Sequence, residues 1–386
     1  MKSHNQTPVQ SPPSRPLPYG RQSIGEDDIQ AVVEVLRSDW LTTGPAVDRF
    51  EKGIAEFVGA EHAVAVSSGT AALHAAMYAA GVGPGDEVIV PAMTFAATAN
   101  AAVFLGAIPV FADIEPDTLL VDPASVEKRL TSRTKAIAAV DYAGQPCDYA
   151  SLTRIAAESN AVLIADGCHA LGAALAGKRV GSLAGLTAFS FHPVKHITTG
   201  EGGMITTNDP ELAQRMRLFR NHGISSDHRE RSERGSWFYE MVDLGYNYRI
   251  SDFQCALGLS QLKKLPEWVR RRQQIAARYD EGFLGSAITP LTRRAGATHA
   301  FHLYVVRVNG DRQAAFSRLR ERGIGANVHY IPVHLHPYYQ RRFGTCPGLC
   351  PVAEEAYRQI LSLPMFPAMT DEDADFVIES LRDVVS

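Results

Sequence analysis

From residue 62 to residue 207 the chain repeats one pattern: a short apolar run rich in Val and Ile, then a stretch of helical periodicity. The runs are HAVAV (62–66), EVIVP (87–91), IPVFADI (108–114), AIAAVDY (136–142), AVLIAD (161–166), LTAFSFH (186–192) and GGMITT (202–207). A strand with one wet face alternates apolar with polar residues, whereas a strand covered on both faces stays apolar along its length. Such runs, separated by amphipathic helices, imply a mostly parallel sheet flanked by helices, an α/β domain of doubly wound type. No internal repeat is visible.

The flanking segments read differently. Residues 1–18, MKSHNQTPVQSPPSRPLP, are polar and proline-rich, the composition of a disordered tail. Two helices should follow, with Ile29, Val32, Val33 and Leu36 on one apolar face and Val47, Phe50, Ile54 and Phe57 on another. Ser251 and Gln254 form a capping-box pattern ahead of a helix through ALGLSQL. The charged helix EWVRRRQQIAARYDEGF then leads away from the large domain; its arginines read as a solvated face or as a phosphate patch. Strand HLYVVRV, helix AAFSRLRERG, strand ANVHY and terminal helix DEDADFVIESLRDVV complete a small α+β domain. The expected divisions are a tail at 1–18, a large domain at 19–265 and a small domain at 266–386.

Length and charge narrow the function. A chain of 386 residues has room for two domains with a large core. With 38 Lys and Arg against 42 Asp and Glu it shows no basic footprint for nucleic acid. No apolar run approaches the roughly 20 residues of a membrane span. The N-terminus lacks the pattern of a signal peptide. Five scattered cysteines suit a reducing cytoplasm better than a disulfide scaffold. Cys346 and Cys350 stand near His329, His334 and His336, yet CPGLC reads equally as a loop and no second cysteine pair exists, so no metal site is expected.

Open α/β sheets bind ligands at the carboxyl ends of their strands, and four features fall there. SSGTAAL follows the first run and opens a helix. Gly69 permits close backbone approach, Thr70 adds a hydroxyl, and the free N–H groups of the helix start attract an anion, although a small-residue turn is the plainer reading. Asp166 closes AVLIAD, where it faces a ligand crevice or caps a helix. Lys195, in FSFHPVKHITTGEGG, sits in an apolar, glycine-rich setting unlike that of surface lysines, just after Ser190. Phe95, beyond EVIVP, is a core aromatic or a ring-stacking partner. A phosphate cradle, an aromatic plate, an acid and an amine on successive strand ends are together what pyridoxal phosphate requires: an amine to form an imine, and a carboxylate to keep the pyridine nitrogen protonated.

In this order the stretches WLTTGP, SSGTAAL, PAMTFAATAN, DGCHALGA, FSFHPVKHITTGEGGMITTND, FRNHG, LGYNYRISDFQCALGLSQL and NVHYIPVHLHPYY resemble the DegT/DnrJ/EryC/StrS sugar aminotransferases, fold type I pyridoxal phosphate enzymes. The resemblance implies Lys195 as the imine-forming lysine and Asp166 as the pyridinium partner. It further implies His169 and Phe95 against the ring, and Gly69, Thr70 and Ser190 on the phosphate. Asn247 matches an asparagine contributed by a neighbouring subunit, which implies a homodimer with shared active sites. Some members carry histidine at the lysine position and act as dehydratases; lysine here implies transamination from L-glutamate by a ping-pong mechanism. VDYAGQPCD, GLSQLKK, ERGI and VHYIPVHLHPYYQ look most like the branch that aminates UDP-4-keto-6-deoxy-N-acetyl sugars toward pseudaminic acid. By that likeness Tyr19, Asp39, Trp40, Leu41, Thr42, Asn327, Val328, His329 and Tyr330 line the sugar-nucleotide site. Trp40, Tyr19 and Tyr330 could stack on sugar or uracil and His329 could meet the diphosphate, or these residues pack a domain interface. A dTDP-keto-sugar or UDP-4-keto-arabinose enzyme is the alternative. A non-catalytic cofactor-binding sensor is a further one, against which the first 18 residues are too short and polar for a helix-turn-helix.

Overall fold

The computed structural model describes residues 16–226, 228–233 and 235–385. The seven runs form one sheet: β1 (His62–Val66), β2 (Glu87–Pro91), β3 (Ile108–Ala112), β4 (Thr134–Val140), β5 (Val162–Asp166), β8 (Leu186–Ser190) and β9 (Gly203–Thr207). Between β5 and β8 lie the two-residue strands β6 (Ala174–Leu175) and β7 (Lys178–Arg179). The large sheet has the order β1-β9-β8-β5-β4-β2-β3. All pairs are parallel except those of β9, which runs antiparallel to both β1 and β8. The sheet is therefore mixed: the 191–202 connection holds no crossover helix, so the chain turns straight back beside β8.

Helices α1 (Glu26–Leu36) and α2 (Pro45–Val58) precede the sheet; α3 (Gly69–Ala79), α4 (Ala96–Phe104), α5 (Pro123–Arg129) and α6 (Tyr149–Glu158) connect its strands. After it come α7 (Pro210–Arg220), α8 (His228–Glu233), α9 (Asp252–Leu262) and α10 (Leu265–Phe283). Successive strand residues point to opposite faces, and each face has its own core. Val64 and Val66 of β1, Leu186 of β8 and Ile205 of β9 enter one cluster. Ala63 and Ala65, Phe189 and Met204, from the same strands, enter another, with Phe50 and Ile54 of α2. The continuous apolar runs are explained by this two-sided burial.

A third core surrounds the antiparallel sheet β10-β12-β13, made of β10 (Ile288–Pro290), β12 (Tyr304–Val308) and β13 (Ile360–Leu363). The remaining strand, β11 (Ala297–Thr298), pairs with β6. The helices here are α11 (Arg312–Glu321) and α14 (Asp371–Val385), whereas α12 (Pro337–Phe343) and α13 (Pro351–Gln359) pack Tyr339, Ala353 and Ala356 into the first cluster, on the large sheet. Helix α10 joins the cores: Leu265 and Val269 pack with α2 and α9, while Ile275, Tyr279 and Phe283 pack with α11 and α14.

Three local expectations differ from the structure. Residues 1–15 of the expected tail lie outside the described residues, but Leu17 is buried and pairs through its backbone with Gly323 and Gly325. One aliphatic side chain among prolines was enough to seat that turn. Helix α1 buries Asp28 and Val35, not the expected face, and leaves Ile29 and Leu36 exposed. The buried carboxylate of Asp28 accepts from Ser260, Gln261 and Lys264 at 2.7–2.8 Å, and this polar cluster turns the helix. ANVHY is no strand: only Asn327 pairs, with Ser362, before the chain leaves the sheet.

The packing of β9 on the start of α3 leaves no room for a side chain at Gly203, where a Cβ would lie 2.3 Å from the Ser68 carbonyl oxygen. Gly203→Ala is expected to destabilise the protein by about 1–3 kcal/mol through overpacking, read as a lower urea midpoint. An unchanged midpoint means the junction is looser than the structure shows.

Candidate active site

The carboxyl ends of β1, β2, β4, β5 and β8 open on one cavity of about 550 Å³. Strand β5 ends in Asp166, which is 6% exposed. Its Oδ2 accepts from the Thr98 hydroxyl at 2.7 Å and its Oδ1 from the Cys168 N–H at 3.2 Å. The Thr94 hydroxyl lies 2.8 Å from Thr98 and completes a chain that fixes the plane of the carboxylate. Strand β8, the parallel neighbour of β5, ends in Ser190 and runs into the loop that carries Lys195. That loop is pinned by its own backbone: Lys195 N–H donates to His192 O at 2.9 Å and Phe191 N–H to Gly202 O at 2.8 Å. Burial pushes the Lys195 ammonium below its ordinary proton affinity, and Cys168 and Asp166 oppose that shift.

At the end of β1 the Ser68 Oγ accepts from Ala71 N–H at 3.1 Å and caps α3. The other first-turn N–H groups have no intrahelical acceptor and make an anion site. Gly69 and Thr70 line the cavity there, with Ser190 beside them. A Cβ on Gly69 would lie 2.7 Å from that of Ser190, so the cradle closes only over glycine.

The rest of the wall is aromatic. His169 Nε2 lies 3.0 Å from the Tyr330 hydroxyl, and the two rings stack with centroids 6.0 Å apart. Burial drives the proton affinity of His169 far down, so the ring is neutral. Phe95 is 59% exposed at the mouth, its ring 5.9 Å from that of Tyr330. Tyr19, Asn327, Val328, His329 and Tyr330 also line the cavity.

His329 lines the cavity as a neutral ring: its Nδ1 is 2.9 Å from Ser362 Oγ, and burial pushes its pKa down to about 4. One group of expected residues is not gathered within one chain. Asp39, Trp40, Leu41, Thr42 and Asn247 do not reach the cavity. Trp40 lines a groove between α1, α2 and α9, Asp39, Leu41 and Thr42 are exposed, and exposed Asn247 bridges to Asn221. Cys346 is exposed, Cys350 is buried, and His334 binds Glu354 at 2.9 Å. The structure also brings in residues that sequence reasoning missed: Thr98 under Asp166, Glu201 at the rim, and His302, whose Nε2 is 3.3 Å from Lys195 Nζ. Thr98 looked like any helix residue. The histidine immediately before strand LYVVRV carried the only signal for His302.

The residues present fit pyridoxal phosphate. An amine with lowered proton affinity, a carboxylate of fixed orientation and a helix start with hydroxyls share one cavity. Among the described residues His169 Nδ1, buried there, has no hydrogen-bond partner and is open to a bound polar group.

Comparison with known proteins agrees. Residues 22–382 match the DegT/DnrJ/EryC1/StrS aminotransferase family. The chain belongs to this family. Its cofactor is pyridoxal 5′-phosphate. The spore coat polysaccharide biosynthesis protein SpsC of Bacillus subtilis is 46% identical over 379 residues, covering 96% of this chain and 97% of SpsC. The sugar aminotransferase Spr1654 of Streptococcus pneumoniae in its PMP form superimposes with a TM-score of 0.91 at 35% identity, over 96% of this chain and 99% of that one. It has also been solved in PLP and apo forms. Helicobacter pylori PseC, an aminotransferase of pseudaminic acid biosynthesis, gives 0.90 at 35% identity with the same coverage. The chain is thus a sugar aminotransferase of this family.

The buried imidazoles make a pH prediction. Burial lowers the pKa of His74 and His329 to about 4 and of His299 to about 3, and drives His169, His196 and His302 well below the ordinary 6.5. Unfolded, each binds a proton that it refuses when folded. Their stabilisation is therefore complete above about pH 6.5 and is lost as the pH falls toward 4. Asp141, pushed up to about 7 by burial, works in the opposite sense with a single proton. Urea midpoints are expected to fall steadily from pH 7 to 5, with roughly 1.4 kcal/mol per pH unit for each net proton taken up. A flat or rising midpoint over that range rejects the neutral imidazoles.

Proposed function

We propose that this enzyme moves an amino group from L-glutamate to a UDP-linked 4-keto-6-deoxy sugar, UDP-2-acetamido-2,6-dideoxy-β-L-arabino-hex-4-ulose. The observation that carries the transamination is the pairing of β5 with β8, which sets Asp166 beside the loop bearing Lys195. Bound pyridoxal phosphate supplies an aldehyde that condenses with primary amines and a ring that accepts the electron pair left at carbon. Asp166, fixed by Thr98 and Cys168, would hold the ring nitrogen; the α3 start with Gly69, Thr70 and Ser190 would hold the phosphate; His169 and Phe95 would face the ring. Lys195 Nζ, whose proton affinity burial lowers, would take the proton from the donor Cα, carry it on Nζ and give it up again. The same atom runs the reverse transfer for the keto sugar, so one base serves both half-reactions.

The named sugar is supported by the likeness to PseC. Another nucleotide sugar, dTDP-3- or 4-keto or UDP-4-keto-arabinose, is the second reading, since the 46% identity to a spore coat polysaccharide biosynthesis protein exceeds the 35% to PseC and names no particular sugar. The five unpaired cysteines support a cytoplasmic setting. Among the described residues no helix is long and apolar enough to cross a membrane. Turnover of a panel of UDP- and dTDP-keto sugars with glutamate tests the proposal. The UDP-4-keto N-acetyl sugar should give the highest kcat/KM, and Lys195→Ala should abolish product while remaining folded. A preferred dTDP substrate rejects the sugar, and an active Lys195→Ala rejects the mechanism.

The working unit in this reading is a homodimer. Trp237, Met241 and Leu244 are 85%, 66% and 69% exposed on the segment that leads to Asn247, and a large apolar patch of this kind marks an interface. Among the described residues no arginine of the chain lines its own cavity, although both substrates are anions. Mixing inactive Lys195→Ala dimers with impaired Asn247→Ala dimers should restore activity, because a hybrid dimer holds one intact site when Asn247 crosses between subunits. No recovery after exchange of subunits means each chain completes its own site.

A further inference from the structure

The mechanism above leaves unused the imidazole that meets its amine. His302 is 4% exposed, lines the cavity, and holds its Nε2 3.3 Å from Lys195 Nζ. Its Nδ1 is buried with no hydrogen-bond partner among the described residues. Such an arrangement is costly to leave in a core unless the bond it does make matters.

The backbone around it is over-determined. Phe301, the preceding residue, sits at φ +50, and Ala143, opposite, at φ +58. Non-glycine residues are held there only by strong surroundings. Ala300 N–H donates to Gly144 O at 2.9 Å and Leu303 N–H to Ala143 O at 3.2 Å. Gly144, at φ +103, comes so close that a Cβ would lie 2.9 Å from Phe301 N and 3.0 Å from His302 N. From behind, the fully buried guanidinium of Arg272 donates to Phe301 O at 3.0 Å and to Met365 O at 2.7 Å. A strained turn, a glycine contact and a buried arginine all converge on the backbone that aims one side chain.

We propose that His302 is a positioning residue for the Lys195 amine, accepting from Nζ–H through Nε2 so that the displaced amine stays aimed into the cavity between its two proton transfers. The inference rests on the reading of Lys195 as the reactive amine. No covalent bond forms or breaks at His302, and it exchanges no proton: the proton taken from the donor Cα stays on Nζ until Nζ delivers it. An imidazole nitrogen accepts from a neutral amine and more strongly from the ammonium, so the aim is kept in both states. The same bond moderates the loss of basicity that burial imposes on Lys195, leaving an amine basic enough to take a proton. The other groups facing this pair are Asp166, Cys168 and His169 after β5, His196 on the lysine's own loop, His329, and Arg272 on α10. His196 is engaged elsewhere, with Nε2 3.0 Å from Ala300 O, and burial keeps His169, His196, His302 and His329 uncharged.

Two measurements on His302→Leu and His302→Gln in the full-length protein test this. In single-turnover reactions with glutamate and with the keto sugar, the leucine variant should slow both half-reactions about 10- to 100-fold with KM nearly unchanged, since a base misplaced by about an ångström loses of that order. The glutamine variant, whose amide oxygen still accepts, should recover most of that rate. In the cofactor-free protein, acetic anhydride labelling of Lys195 followed by mass spectrometry across pH should place the amine's midpoint about one unit lower in His302→Leu and near wild type in His302→Gln. Should the leucine variant not fold, His302→Asn, with an amide too short to reach Nζ, takes its place with the same expectations. Wild-type rates in the leucine variant overturn the proposal. So do equal rate losses in both variants with an unmoved labelling midpoint, the result of a purely packing role. An active Lys195→Ala protein overturns the reading of the site itself, whereas an inert Lys195→Ala with indifferent His302 variants removes this inference alone.

Discussion

Parallel pairing of β5 with β8 is the constraint on which the site depends. Parallel neighbours end at the same edge of a sheet, so the last residue of β5 and the loop leaving β8 must share one opening. Asp166 and Lys195, apart in sequence, meet because of that geometry. The antiparallel return of β9 then closes the lysine loop into a short hairpin, and Gly203 lets the hairpin press on the start of α3. Acid, amine and anion cradle are thereby placed by backbone hydrogen bonds, and the side chains of Thr98 and Ser68 complete the acid and the cradle.

The second organising effect is desolvation. Few charges survive near the amine: five imidazoles around the cavity and behind it are held neutral by burial, and the facing carboxylate is engaged by a threonine and a backbone N–H. In such surroundings an amine loses its proton readily and each remaining hydrogen bond weighs more. Catalytic readiness and acid sensitivity thus share one cause.

How far the sequence could be read varied from residue to residue. The strands of the large sheet were legible because burial on both faces writes an uninterrupted apolar run. Lys195, Asp166, Gly69, Thr70 and Ser190 were legible because strand ends and glycine-rich turns flag them locally. The burial of Asp28 was not, because its partners Ser260 on α9 and Lys264 in the turn before α10 lie far along the chain. Nor was the neutrality of His329, which depends on its burial in the tertiary fold. Thr98 carries no local mark and His302 only its place before a strand; each acquires its role by what it touches.

The sequence by itself determined the fold class, the order of the strands along the chain and a set of candidate site residues at strand ends, since these follow from short-range periodicity and residue chemistry. Tertiary structure alone decided which strand runs backwards, which face of α1 is buried, and which imidazole reaches the lysine. Those outcomes rest on contacts between segments distant in the chain, and no local pattern of residues encodes a distance of that kind.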